Sequence, residues 1–196
     1  MKITATAAIM MAAGGALFAE VPTGERSVSV CMERGSGFGP GLQARATASQ
    51  IFAGIGVRID WHVGLESCPL HSIKISLGQN TPKSERPGAL AYALPYEGTH
   101  IVVYYDRICV NQKSLVPTVL AHVLVHEITH ILEGISRHSE TGVMKAHWDD
   151  DDMSRMAWKP LKFAQEDIDL IYLGLAGRAA HSTLALNTVN SRVAAQ

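Results

Sequence analysis

The chain has 196 residues, a length that suits one domain, and 47% of them are hydrophobic, enough for a core. The formal net charge is −1 and no long basic run occurs, so composition disfavours nucleic acid or an anionic membrane surface as a partner.

In chain order, Lys2 is followed by an apolar, alanine-rich run from Ile3 to Ala19, and Glu20-Val21-Pro22 opens the polar region. This is the pattern of a secretory signal peptide over residues 1–19. Gly14-Gly15-Ala16 fits a small-x-small cleavage site, and cutting after Ala19 is a second possibility, so the mature chain is expected to begin between Leu17 and Glu20. An uncleaved anchor is the alternative, although the run is short for a membrane span. The expected location is secreted or periplasmic, with no stable membrane association after cleavage.

Residues 27–33 alternate and read as a first strand. Gly35, Gly37, Gly39, Pro40 and Gly41 make a loop, and a helix follows with Leu42, Ala46, Ser49, Phe52 and Ile55 on one face. Residues 57–61 and 72–77 read as the second and third strands. Residues 78–88 are polar, with two prolines, and read as a loop. Ala89 to Leu94 is a short strand, and Pro95 after it marks a sheet edge. Residues 101–105 form an interior strand. A long helix runs from about Leu115 to Glu133, with Ser114 as N-cap, Pro117 in the first turn and Gly134 as the stop. Residues 134–160 read as a loop region. A last helix covers about residues 164–175, and the small, polar tail beyond it is expected to fray. This order predicts an α+β domain: a mixed twisted sheet of four to five strands, a backing helix, and a small C-terminal subdomain ending in a helix.

The three cysteines are Cys31, Cys68 and Cys109. Export permits a disulfide. Cys31 lies in the first strand and Cys68 just beyond the second, and those strands are neighbours joined by one helix. Cys31 and Cys68 are therefore the expected pair, with Cys109 left over; three free thiols are the alternative.

The chemistry is concentrated in His126-Glu127-Ile128-Thr129-His130, set in the apolar run of the long helix. Residues i and i+4 of a helix lie about 40° apart around the axis, so His126 and His130 face one way and can close on one zinc ion. Glu127 beside them is a carboxylate placed to take a proton from an activated water. The competing reading is two buried histidines and a solvated helix charge, which would need partners of their own. Asp149 to Asp152 lack the spacing of a calcium loop and read as a solvated loop and helix cap.

These residues, with Gly134, His138-Ser139 and Thr141-Gly142-Val143-Met144, resemble the metzincin-type zinc metallopeptidases, particularly small secreted bacterial proteins of this kind. The resemblance spans roughly residues 27–175, with its specific motifs in 126–144. It implies Zn2+ held by His126, His130 and His138, Glu127 as the catalytic base, and Met144 in a turn beneath the metal. The chain departs from the family spacing: three residues, not two, lie between His130 and Gly134, and three between Gly134 and His138. Glu133, His147 and the Asp149–Asp152 run stay open as competitors for the third ligand position. The implied organisation is a signal peptide over 1–19, a zinc metallopeptidase-like domain over 20–178 and a flexible tail over 179–196. The implied activity is that of a secreted, monomeric zinc endopeptidase acting on peptide or protein substrates. The alternatives are a metal-binding or interaction protein with this fold and no activity, and a zinc hydrolase of a non-peptide bond.

Overall fold

The structure is a computed structural model that describes residues 26–33, 38–66, 68–111 and 115–193. The expected signal peptide, Gly35, Gly37 and Ser114 lie outside the described residues. Five strands, β1 (Arg26–Met32), β2 (Val57–Val63), β3 (Ile73–Gly78), β4 (Ala91–Ala93) and β5 (His100–Tyr104), form one mixed sheet in the order β2-β1-β3-β5-β4. Strand β1 pairs in parallel with both β2 and β3, β3 pairs in parallel with β5, and β4 runs antiparallel to β5 at the edge. The expected edge strand and interior strand are thus both in place.

Alternation decides which side of the sheet is covered. Val28, Val30 and Met32, Ile73, Ile75 and Leu77, and Ile101 and Val103 are buried, and the residues between them are mostly half-exposed. Parallel neighbours need a crossover, and α1 (Phe38–Ala53) supplies it between β1 and β2. Helix α1 packs against α3 (Val116–Glu133), and α3 also contacts β4 and β5.

Cys31 and Cys68 form a disulfide with a Cα separation of 6.0 Å, and Cys109 is free and half-buried. The register explains the reach: Cys31 sits opposite His62 of β2, and Cys68 follows within a short turn. The bridge closes over the face of β1 opposite the helices, where Cys31 is fully buried.

Four expectations are corrected. Gly39, Pro40 and Gly41 lie in the first turn of α1, not in a loop, and a proline is tolerated there because its absent N–H has no helical partner. The buried face of α1 is Ala44, Ala48, Ile51 and Phe52, while Leu42 is 61% exposed. Alanine lets the backbones of α1 and α3 approach, so ranking faces by bulk selects the wrong one. Two short helices, α2 (Tyr105–Asn111) and α4 (Asp150–Trp158), occupy segments expected to be strand end or loop. Finally, α5 (Gln165–Val193) continues well beyond Leu175, the expected end of the last helix.

Helix α5 is held along its first half by contacts to several elements. The Tyr172 hydroxyl donates to the Ile55 carbonyl at 2.5 Å. The Arg178 guanidinium donates to the carbonyls of His71 and Gly98 at 2.9 and 3.1 Å. Gly174, within the predicted last helix, lies directly against the α3 backbone. A Cβ there would stand 1.7 Å from the Leu132 carbonyl oxygen. Gly174→Ala therefore forces the two helices apart. We expect it to lower stability by roughly 1–3 kcal/mol, as for other overpacking changes, read as a reduced denaturant midpoint against wild type.

Candidate metal and catalytic site

Helix α3 is buried on every side from Val119 to Leu132. Leu115 occupies its N-cap position without a side-chain cap, and Pro117 lies in the first turn. Gly134 ends the helix in the left-handed conformation (φ 70°, ψ 15°) and donates its N–H to the His130 carbonyl at 3.0 Å. The helix thus carries four ionisable side chains into the interior: His122, His126, Glu127 and His130.

His122 is satisfied within the core. Its Nδ1–H donates to the Thr118 carbonyl at 2.7 Å, and its Nε2 accepts the Leu161 N–H at 3.0 Å. His126 and His130 are arranged differently. Their Nδ1 atoms lie 3.0 Å from the Val143 carbonyl and 3.2 Å from the Ile135 carbonyl. A carbonyl can only accept, so each Nδ1 carries the proton and each Nε2 is left with a lone pair. Those two Nε2 atoms stand 3.1 Å apart. Two bare acceptors at that distance repel unless a cation or proton lies between them. Tetrahedral zinc with nitrogen ligands requires a separation of roughly 3.3 Å.

The third imidazole arrives from the loop. The His138 ring centroid is 5.2 Å from that of His126 and 5.0 Å from that of His130, and one nitrogen from each of the three rings lies within 4.8 Å of the others. Three imidazoles in this arrangement can hold a metal ion and leave a coordination position open. Burial pushes His126 and His130 down to about 4, and His138 is shifted down as well, chiefly by burial. All three are then neutral near pH 7, the form that binds metal. Glu127 is buried, and burial alone pushes its carboxyl up to about 8. Trp148 packs edge-on against His126, with ring centroids 5.8 Å apart.

The loop is held by interactions that sequence reading missed. His138 lies between Arg137 and Ser139, and both are tied to Asp167 in the first turn of α5. Arg137 Nη1 is 2.9 Å from Asp167 Oδ1, and the Ser139 hydroxyl donates to the same oxygen. The other Asp167 oxygen accepts the Ala164 N–H at 3.0 Å. Asp167 is fully buried. Ser139 N–H also donates to the Met144 carbonyl at 2.9 Å, folding the loop onto the turn whose Val143 carbonyl holds His126. Met144 is fully buried within that turn. A glutamate and an aspartate at the start of a helix were the available signal, but their long-range partners were not.

The competitors do not join the three imidazoles. Both Glu133 carboxylate oxygens are buried without a hydrogen-bond partner among the described residues, and burial, with Asp167 nearby, pushes the group up to about 7. Asp149 and Asp152 form the capping box of α4 and bind Lys145, the cap role expected of this run. His147 lines the same cleft as the triad. That cleft, of about 580 Å³, lies between α3, the loop and the arm leading into β4, with His126, Glu127, His130 and His138 among its lining residues.

Replacing Asp167 by Asn removes the negative charge that Arg137 faces while keeping the side chain's size. We expect divalent-metal affinity to fall about 10- to 100-fold, the usual effect of losing a group that orients a ligand, in a titration against a chromogenic chelator.

No protein-family model matches the sequence, and no curated protein matches it. Among solved structures, the fold is similar to the archaemetzincin of Methanopyrus kandleri, with a TM-score of 0.55 at 16% identity over 80% of this chain and 99% of that one. The archaemetzincin of Archaeoglobus fulgidus, solved in complex with malonate, aligns with a TM-score of 0.49 at 13% identity over 74% of this chain and 99% of that one. The chain therefore has an archaemetzincin-like α+β fold.

Proposed function

We propose that the protein is an exported zinc-dependent endopeptidase in which His126, His130 and His138 hold the metal and Glu127 is the general base. The observation that carries this reading is the convergence of three neutral imidazoles beside a buried glutamate, on the floor of an open cleft. The archaemetzincin-like fold and the metzincin resemblance of residues 126–144 support it. The disulfide between Cys31 and Cys68 and the leader-like N-terminus support export, because such bridges persist in oxidising compartments.

Zinc at this site would lower the pKa of a coordinated water and polarise the scissile carbonyl. Glu127 takes the proton from the attacking water and delivers it to the leaving amine. A zinc cation held by the three histidines would offset the upward push of burial on Glu127 and favour its carboxylate, the form that accepts a proton. The carbonyls of Val143 and Ile135 keep the His126 and His130 rings in the ligand tautomer. Strand β4 pairs with β5 on one side, and its other edge borders the cleft, so an extended peptide can add to it through backbone hydrogen bonds.

Two sets of variants test the assignment. Glu127→Gln should retain zinc and lose hydrolysis by a factor on the order of 10² or more. His138→Ala should weaken zinc binding severely, whereas Glu133→Ala should leave it unchanged. The measurements are metal content of the purified mature protein and cleavage of a denatured protein mixture with and without chelator. Full turnover in Glu127→Gln would remove the mechanism. A zinc-loaded wild type that cleaves no peptide would favour a binding protein, or a hydrolase of another bond, on the same fold.

A further inference from the structure

Among the charged groups that line the cleft and that the mechanism does not use, Arg86 is a cation with no ion pair among the described residues. Residues 79–90, between β3 and β4, form an arm along the cleft that is fastened at several points. Thr81 donates through both its N–H and its hydroxyl to Asp106, at 2.9 and 2.6 Å. The Tyr104 hydroxyl donates to Glu85 at 2.7 Å. Arg107 donates to the carbonyls of Arg86 and Ala89 at 2.8 and 2.7 Å. Arg86 is therefore fixed by its backbone, while its side chain is exposed on the cleft wall with no hydrogen bond or ion pair among the described residues.

The other charged groups lining this cleft are mostly engaged. Lys145 is neutralised by Asp149 and Asp152. The Glu85 carboxylate accepts from Tyr104. Glu127 is on the floor, and Asp150 is exposed on α4. His147 also lines the cleft. Arg86 lines the same cleft as His126, Glu127, His130 and His138, so its charge faces the space in which the triad stands.

We infer that Arg86 is a specificity-determining residue that receives a carboxylate of the bound peptide close to the scissile bond. This rests on the peptidase reading above and names its substrate class: peptides bearing an acidic side chain, or their own C-terminal carboxylate, within reach of the triad. The guanidinium supplies a planar fork of donors that matches a carboxylate in two hydrogen bonds. Its fastened backbone means that little chain entropy is lost when the ligand arrives.

The test uses full-length mature protein loaded with zinc and a set of quenched fluorescent peptides. The set differs only in Glu, Gln or Lys at each position flanking the cleaved bond, and each peptide is made with a free and an amidated C-terminus. Wild type should prefer Glu to Gln, or free acid to amide, by roughly three- to tenfold in kcat/KM at low salt. The preference should shrink as ionic strength rises. Arg86→Glu should reverse it in favour of Lys, while the equal charge change Lys83→Glu, on the same arm, should leave it intact. The Glu peptides report a side-chain carboxylate, and the acid–amide pairs report the terminal one. Peptide binding to Glu127→Gln, measured by fluorescence anisotropy, reads the same preference without turnover. Cleavage or binding with no dependence on Arg86 would overturn this inference and leave the peptidase reading standing. Binding that depends on Arg86 without any cleavage would uphold the carboxylate site and remove the peptidase. Neither cleavage nor binding of any peptide would overturn both.

Discussion

Residues 119–132 of α3 are buried around the whole helix, yet four of their side chains are ionisable. A buried polar group without a partner costs roughly 1–3 kcal/mol, and a buried charge costs more. Much of the surrounding structure serves to meet that demand. His122 takes Thr118 and Leu161. His126 and His130 each spend one nitrogen on a backbone carbonyl brought in by the loop that follows the helix. That leaves two Nε2 lone pairs and the Glu127 carboxyl, all directed to one cleft. Those three groups are left without a partner among the described residues, as is Glu133 at the end of the helix, but only the first three share a cleft with His138.

The loop can meet this demand only because α5 fixes it. Asp167 takes Arg137, Ser139 and Ala164 at once, so the residues on both sides of His138 are tied to a single buried carboxylate. Helix α5 is in turn set against α3 at Gly174, where the backbones are too close for a side chain. The placing of the three imidazoles therefore depends on helix packing about half a turn beyond His130. The C-terminal helix is part of the site although it contributes no residue to the triad.

The sequence made the site more legible than its support. The i, i+4 pair, the adjacent glutamate and the stop at Gly134 are local, and helical geometry alone relates them. The sheet was readable for the same reason: alternation in β1 and β3, and Pro95 after a short strand, fix faces and an edge within a few residues. The face of α1 was misread because alanine packing depends on how near α3 comes, which no single helix encodes. The reach of α5 was misread because the residues beyond Leu175 are small and polar and carry no apolar periodicity to mark a helix. Val143 and Ile135 act through backbone carbonyls, which have no side-chain signature at all. Asp167 carries an ordinary helix-start signal, and its importance lies in partners about 30 residues away.

The unusual spacing after His130 has a physical account in this structure. Three residues before Gly134 complete a full turn beyond His130, so the Gly134 N–H closes on the His130 carbonyl in a regular i, i+4 bond. A shorter exit would end the helix before that bond could form. The extra residue turns the exit direction by about 100°, and the left-handed Gly134 redirects the chain so that the Ile135 carbonyl meets the His130 ring. The three residues between Gly134 and His138 then supply the return length, and Arg137, the last of them, is held by Asp167. The two insertions compensate because one sets the direction of the loop and the other its length. The triad depends on where the loop is anchored at Asp167 and Val143, and the count of residues between histidines can vary so long as those anchors are reached.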